Sequence, residues 1–548
     1  MSQDRAPVLG GRDDDDLMDR FWAYESALMS NDTHAMAELS ENSAETVRGD
    51  AAGLLVRHGT ITAFRANRGG APARSVLEIH RRNLAPGVVL LIAVTQSPDG
   101  GRGQQTQVWR RSAEGPWGVS AAHVSTPAPA MDTRIWRVVG DPLVGPETEP
   151  SSDGRGREAS PPLAGCSVAV KDLFAVAGHR IGAGSPAWLA EAEPEARHAP
   201  AVRALLAAGA HVRGLARTDE FAYSLAGTNT HYGTPPNSSD PHRIPGGSTS
   251  GSASAVSSGQ ADIGLGTDTG GSIRVPSAYQ GLWGLRTTHG LVSRDGVLPL
   301  APSFDTVGWV TRSVDLLSRV TRTMVHGARS RGWDKEPQPA DGPLVLLEGL
   351  LKLADDDVAQ AVRSASDAAG ARSDTGPSAA QGQRWRSVFQ SVQAGEAWAQ
   401  HGEWIDDHWD RLAPDVASRF AAAREQTADS LARARVEAGA ARRSIRELAA
   451  GRILVLPSAS SVAPLQSQAT AGGHWIEAAR AATMALTSLA GLAGLPVVSV
   501  PVRTADGLPC GLSLIGPEGS DESLVRRAAE LWGDETSVSS THDQRSLG

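Results

Sequence analysis

Three separated segments carry residues able to do covalent chemistry: Val168–Phe174 (VAVKDLF), Gly246–Ser252 (GGSTSGS) and Gly266–Arg274 (GTDTGGSIR). They supply Lys171, Ser248 in a glycine turn, and Ser272 after a Gly-Gly pair. A serine hydroxyl is a weak nucleophile until a base takes its proton. A lysine can be that base only when neutral, so burial or another local effect must lower its pKa from about 10.4. Glycines at 270 and 271 let the backbone turn tightly and expose its N–H groups. Successive N–H groups at Thr269, Gly270, Gly271 and Ser272 could then form an oxyanion hole. One such donor is typically worth about 2.7–4 kcal/mol in the transition state. Together these are the parts of a nucleophilic acyl-transfer site that uses neither histidine nor metal, suited to hydrolysis of an amide. Each segment alone also has a plainer reading: a flexible turn at 266–274, a Gly/Ser-rich loop at 246–252, a snorkelling surface lysine at 171. The 246–252 segment is not a phosphate loop of the Walker type, because no Gly-Lys-Ser/Thr follows it.

The elements around these residues read as α/β. Cys166–Val170 is a buried-strand run leading to Lys171. Pro200–Gly209 is a helix ended by glycine, and Val212–Ala216 is a strand. Ile453–Leu456 and Val497–Val500 are continuous apolar runs of the parallel-strand type. The polar, Ala/Arg/Glu-rich region 385–450 predicts long surface helices, and Ser378–Gln383 predicts a loop. The uncharged stretch Ala481–Val502 is broken by Gly491, Gly494, Pro496 and Pro501. It reads as a buried helix followed by a buried strand, not as a membrane span.

The chain divides near residue 140. In 14–140, Leu17, Phe21, Tyr24 and Leu28 recur at helical spacing, and Thr60–Asn67 is a second helical stretch. Four strand-like runs follow: Arg74–Arg82, Gly87–Gln96, Gln104–Arg111 and Trp117–Ser125, separated by Pro-Gly, Gly-Gly and Glu-Gly turn signals. This order predicts one curved antiparallel sheet packed on helices. Residues 141–164 are rich in Pro, Gly, Ser and charge and read as a linker. Residues 165–540 form the second domain.

Composition bounds the function. The chain has 548 residues, 40% hydrophobic and 21% charged, with a net charge of −9. That length exceeds one typical domain, and the balance is that of a soluble globular protein. The acidic excess argues against a nucleic-acid partner. Two cysteines, Cys166 and Cys510, imply no disulfide framework and fit a cytoplasmic setting. The acidic run Asp13–Asp16 stands where a signal peptide would need basic and apolar residues. No metal or cofactor is indicated: His401 and His408 are seven apart, outside the i, i+4 spacing of the helical zinc signature.

Taken together, the three segments resemble the amidase signature family. The resemblance is dense over 165–312 and looser over 451–533, where LAGLAGLPVVSVPV…GLPCGLSLIGP is similar to the family's closing segment. It implies an α/β/α sandwich with a central mixed sheet and a Ser–cis-Ser–Lys triad. The family's lysine falls on Lys171, its bridging serine on Ser248 and its nucleophile on Ser272, 24 residues further on. The resemblance also implies a cis peptide at Gly247–Ser248. Ser250 is a neighbour in this network, while Asp268 and Arg274 brace the loop. Arg286-Thr287-Thr288 replaces the family's Lys-Pro-Thr, and Gln280 replaces a frequent cysteine. Thr218–Pro236 and His289–Trp309 resemble small-substrate amidases of the indole-acetamide and carboxybiuret hydrolase types.

The N-terminal module resembles a SnoaL/NTF2-like α+β cone domain, through Phe21–Asp32, Thr46-Val47-Arg48 and Ala121–Ser125. A domain of that type occurs as a separate small protein beside carboxybiuret hydrolases. The resemblance puts its pocket residues on Tyr24 and Arg48; the alternative is a core tyrosine and a surface arginine. A homo-oligomer assembled through this domain is the expected state. The function expected is hydrolysis of a small amide, with no nucleic-acid or membrane partner. Two alternatives stay open: an amidotransferase subunit acting on misacylated tRNA, and a catalytically silent scaffold.

Overall fold

The computed structural model describes residues 6–537, except 11–14, 51–52, 68–70, 72, 97–101, 112–114, 126–131, 148–159, 331, 334, 337 and 470–472. The chain forms two compact units, Met1–Ala130 and Met131–Gly548.

In the first unit, helix Asp16–Met29 begins where Asp15 accepts the Met18 N–H at 3.0 Å, an N-cap bond. Its Leu17, Phe21, Tyr24 and Leu28 are buried, as their spacing predicts. They pack on the inner face of a seven-stranded sheet that presents Ile79, Leu91, Trp109 and Val119. The strands are β1 (Val8–Leu9), β2 (Val47–Asp50), β3 (Gly53–Val56), β4 (Ser75–Ala85), β5 (Val88–Gln96), β6 (Arg102–Arg111) and β7 (Trp117–Ser125). Their order is β1-β4-β5-β6-β7-β2-β3. Strands β4 to β7 are an antiparallel meander, whereas β1 joins β4, and β2 joins β7, in parallel. The second predicted helix is present as His58–Asn67.

The second unit is built on an eleven-stranded mixed sheet, ordered β15-β14-β16-β18-β17-β12-β13-β11-β9-β10-β8. Its strands are β8 (Trp136–Val144), β9 (Ser167–Lys171), β10 (His211–Ala216), β11 (Ile263–Asp268), β12 (Trp283–Arg286), β13 (Thr306–Thr311), β14 (Leu344–Leu347), β15 (Arg372–Asp374), β16 (Ile453–Pro457), β17 (Val497–Arg503) and β18 (Pro509–Ile515). Strands β9 and β11 run parallel inside the sheet, third and fourth from its β8 edge, and are buried on both faces. Their carboxyl ends lie side by side, the usual place for a site in an open α/β sheet.

The expected domain boundary is corrected by β8. Residues 132–144 belong to the second unit, as the edge strand beside β10. The Pro/Gly composition hid a strand whose Trp136 is buried and whose indole donates to Gln260 Oε1 at 2.6 Å. Part of the expected linker, 148–159, lies outside the described residues.

Three further expectations change. β17 is antiparallel to both its neighbours, and β16 is parallel to β14 but antiparallel to β18. Helices cover both faces here, so a strand reads as continuously apolar whatever its direction. Ser378–Gln383 is not a loop: Ser378 Oγ accepts the Gln381 N–H at 3.2 Å and caps helix Ala379–Asp407. That helix is more than surface, since it buries Trp385, Phe389 and Val392. The stretch 481–502 is, as read, a helix (His474–Ala493) closed at left-handed Gly494 and followed by β17. Among the described residues no helix is long and apolar enough to cross a membrane.

Candidate active site

Lys171 is the last residue of β9, anchored by buried Val168 and Val170. Its Nζ lies 2.8 Å from Ser248 Oγ, 2.8 Å from Thr267 Oγ1 and 3.2 Å from Thr249 Oγ1. Ser248 Oγ lies 3.0 Å from Ser272 Oγ. The three residues brought together by sequence reasoning therefore form one continuous chain of polar atoms. All three are buried, with Ser272 the least so at 3% exposed. Burial pushes the Lys171 amine down to about 7, against the pull of Asp219, Asp268 and Asp305.

The loop before Ser248 is held by Asp219. Its carboxylate accepts the Gly227 N–H at 3.0 Å and the Ser250 hydroxyl at 3.1 Å. A Cβ on residue 247 would stand 2.4 Å from that carboxylate, so only glycine fits there. The Gly247–Ser248 bond is cis. Thr218 Oγ1 donates to the Ser248 carbonyl at 2.9 Å. Ser250 thus serves Asp219, and its neighbour Thr249 is the one that reaches Lys171. Burial raises the Asp219 carboxyl, while the Gly227 N–H and Lys171 pull it back.

The nucleophile turn hangs on Asp268 at the end of β11. Arg274 clasps Asp268 with Nη2 at 2.7 Å and Nε at 3.0 Å. Arg286 adds a bond at 3.0 Å to the same carboxylate and one at 2.9 Å to the Phe304 carbonyl. Burial alone would raise Asp268; the two guanidiniums outweigh it and hold the carboxyl well below the usual range. So Asp268 and Arg274 brace the loop as expected, and Arg286, noted only as a departure, is the second arm of the brace. Gln280, the other departure, donates to the Pro245 carbonyl at 2.9 Å and so steadies the turn before Ser248.

The expected oxyanion hole is corrected at one position. The Gly271 N–H donates to Asp268 Oδ1 at 3.0 Å, so it is already engaged. The N–H groups of Thr269, Gly270 and Ser272 meet no protein acceptor among the described residues. Gly271 instead supplies the turn: its φ is +129°, and a Cβ there would press on Thr487 and Val275 at 3.2 Å. Thr487 Oγ1 donates to the Gly270 carbonyl at 2.5 Å, aiming the peptide from behind. Beside the loop lies a cleft of about 270 Å³ lined by Leu173, Ala222, Thr267, Thr269, Asp305 and Gln400, among others.

Thr249, Thr267 and Asp219 carry no motif of their own and were missed. The signal for two of them was position alone, one residue after Ser248 and one before Asp268. His401 and His408 are accounted for: His401 Nε2 is 2.7 Å from the Pro299 carbonyl and His408 Nε2 is 2.9 Å from Glu191. In the N-terminal unit, Tyr24 and Arg48 are both buried. Arg65 donates to the Tyr24 hydroxyl at 2.6 Å, and the Arg48 guanidinium sits 4.8 Å from the Phe64 ring centre. Both side chains are thus inside the unit, and Arg48 is not a surface charge.

The similarities of this chain to known proteins make it a hydrolase of carbon–nitrogen bonds. A family model described as Amidase matches residues 148–344, and one described as AtzH-like matches residues 14–129. The chain is 36% identical over 402 residues to Amidase 1 of Oryza sativa subsp. japonica, covering 68% of this chain and 91% of that protein. It is 34% identical over 400 residues to the 1-carboxybiuret hydrolase subunit AtzE of Pseudomonas sp. (strain ADP), covering 69% and 85%. A solved structure of a vestigial protein complex, bearing on the origins of an s-triazine catabolic enzyme, superposes with a TM-score of 0.62 at 31% identity, over 70% of this chain and 86% of that one. The chain belongs to the amidase family and carries an AtzH-like domain at its N-terminal side. It is an amidohydrolase that cleaves the carbon–nitrogen bond of a small amide.

Proposed function

We propose that this hydrolysis runs through an acyl-Ser272 intermediate, with Ser248 as proton relay and Lys171 as base. The observation that carries the reading is the unbroken chain Lys171 Nζ–Ser248 Oγ–Ser272 Oγ, with steps of 2.8 and 3.0 Å. Its direction follows the charge on Lys171. As an ammonium, Lys171 donates to Ser248 and Ser248 to Ser272. As an amine, Lys171 accepts from Ser248, and Ser248 accepts from Ser272. The second state makes Ser272 nucleophilic, and burial of Lys171 favours it.

Ser272 Oγ then attacks the amide carbonyl as its proton passes through Ser248 to Lys171. The N–H groups of Thr269, Gly270 and Ser272 are the donors available to the oxyanion. The C–N bond breaks as the proton returns along the relay to the leaving nitrogen, which departs as ammonia or an amine. Water next attacks the acyl-serine, its proton taken by the same relay, and the acid leaves. Asp268, Arg274 and Arg286 hold the loop and exchange no proton.

The N-terminal unit serves assembly in this reading, joining copies of the chain. Two free, buried cysteines fit a reducing, cytoplasmic setting. The experiment is ammonia release from a panel of small amides by the wild type and by Ser272→Ala. Release by the wild type and loss of at least about 10³-fold in the variant is the expected result. Equal release by both would remove Ser272 from the nucleophile's role.

A further inference from the structure

Asp305 stands between the cleft and the nucleophile turn. It is the residue before β13 and is buried. Its Oδ1 accepts the Thr269 hydroxyl at 2.6 Å. Its Oδ2 accepts the N–H groups of Leu300 at 2.9 Å and Ala301 at 3.0 Å. Those two residues belong to the segment 299–302, which forms one wall of the cleft. That segment and Asp305 are fixed in turn to helix Ala379–Asp407. Glu396 on the helix accepts the Ser303 N–H at 2.9 Å and the Ser303 hydroxyl at 2.5 Å. His401 places Nε2 2.7 Å from the Pro299 carbonyl, and Phe389 stacks on Phe304 with ring centres 4.5 Å apart. The Asp305 carboxylate is therefore a fixed point.

Thr269 is where this fixed point meets the chemistry. Its N–H belongs to the peptide between Asp268 and Thr269 and is one of the donors left open to the oxyanion. The carbonyl of that same peptide accepts Thr306 Oγ1 at 3.0 Å and also Arg286 Nη1. Donors at a peptide's carbonyl polarise its N–H and strengthen the bond that N–H can give. On the other side of the N–H, the Thr269 side chain is tied to Asp305. A hydrogen bond to a charged acceptor is roughly twice as strong as a neutral one. Two adjacent residues, Asp305 and Thr306, thus hold this peptide on both sides of its N–H. An oxyanion donor must stand about 2.7–3.1 Å from the developing charge, so its aim decides what it contributes.

We propose that Asp305 is a positioning residue for the reaction: through the Thr269 hydroxyl it aims the Thr269 N–H at the oxyanion. The inference rests on the acyl-Ser272 mechanism given above. Asp305 takes no covalent part in it and exchanges no proton. The helix Ala379–Asp407 enters the same chain of contacts, since it fixes the segment from which Asp305 acts.

The test uses the full chain and the amide that the wild type cleaves fastest. The Asp305 charge raises the Lys171 pKa, so kinetics are compared at about pH 9, where Lys171 is the amine in every variant. Thr269→Val removes the hydroxyl and keeps the branched side chain. It is expected to lower kcat about 10- to 100-fold with KM changed less than about twofold, because the oxyanion exists only in the transition state. Thr269→Ser keeps the hydroxyl and is expected to recover most of that loss. Asp305→Asn is expected to lower kcat on its own but to change it less than about twofold in the Thr269→Val background, where the bond is already gone. Should Thr269→Val not fold, Thr269→Ala carries the same expectations. Wild-type kcat in Thr269→Val would overturn the positioning role and leave the acyl-Ser272 mechanism standing. So would a loss that Thr269→Ser does not recover, a loss that falls on KM, or effects of Thr269→Val and Asp305→Asn that simply multiply. A wild type that cleaves no amide at all would overturn the mechanism, and the inference with it.

Discussion

Thr267 Oγ1 lies 2.8 Å from Lys171 Nζ, the same distance as Ser248 Oγ. A neutral amine has two N–H donors and one lone pair. With Thr267 and Thr249 taking the donors, the lone pair is left facing Ser248. Thr267→Val keeps the shape and removes one acceptor. It is expected to lower kcat about 10- to 100-fold with little change in KM, because the loss falls on the relay and not on substrate binding. It should also move the acid limb of the pH profile to lower pH, since the ammonium form loses more than the amine does. Wild-type kcat with an unmoved profile would remove Thr267 from this role.

Lys171 works only as the amine, and burial places its pKa at about 7. On a neutral amide, whose own charge is constant, kcat/KM should therefore rise with pH up to about 7 and level off above it. The sign is opposite to that of a mechanism needing a protonated lysine, which would lose activity as pH rises. A pH–rate profile on such an amide checks it. A flat profile from about pH 5 to pH 9 would exclude Lys171 as the titrating base.

Asp268 is buried against Arg274 and Arg286, and Asp268→Asn would leave two buried guanidiniums without their carboxylate. Breaking a buried pair in this way costs about 3–5 kcal/mol. Denaturant unfolding should show a loss of that size, together with lost activity. The folded-state pKa of Asp268 is depressed, so its contribution is fully present above the ordinary carboxylate range. It is lost as pH falls through the folded value. The destabilisation by Asp268→Asn should accordingly shrink at low pH.

Thr249 and Ser250 are adjacent, yet only Thr249 bonds Lys171; Ser250 bonds Asp219. Thr249→Val should lower kcat more than Ser250→Ala does, by about tenfold or more. Steady-state kinetics on both variants decide it. The reverse order would make Asp219, through Ser250, the more important support of the relay.

How far the molecule was legible from its residues depended on how local each feature is. Lys171, Ser248 and Ser272 each sit in a short segment that is weak by itself, and the combination of the three, in their order and with 24 residues between the serines, made the assignment. Thr267 and Thr249 act across distances in sequence of 96 and 78 residues from Lys171, with no pattern to connect them. Arg286 looked like a departure because its partner, Asp268, is on a different strand. The helix of 481–502 was readable from Gly494 and the prolines. The direction of β17 was not, because strands buried on both faces look alike in either sense. β8 was hidden by Pro142 and by glycines at 140 and 145, which mark a linker when no neighbouring strand is in view.

The central claim is that Ser272 carries the acyl group. Treatment with a fluorophosphonate, followed by mass mapping of the labelled peptide, tests it most directly. The account predicts a single adduct on the peptide containing Ser272, none in Ser272→Ala, and slow labelling in Lys171→Ala because the relay has lost its base. An adduct on Ser248 instead, or labelling of Ser272→Ala at the wild-type rate, would contradict it.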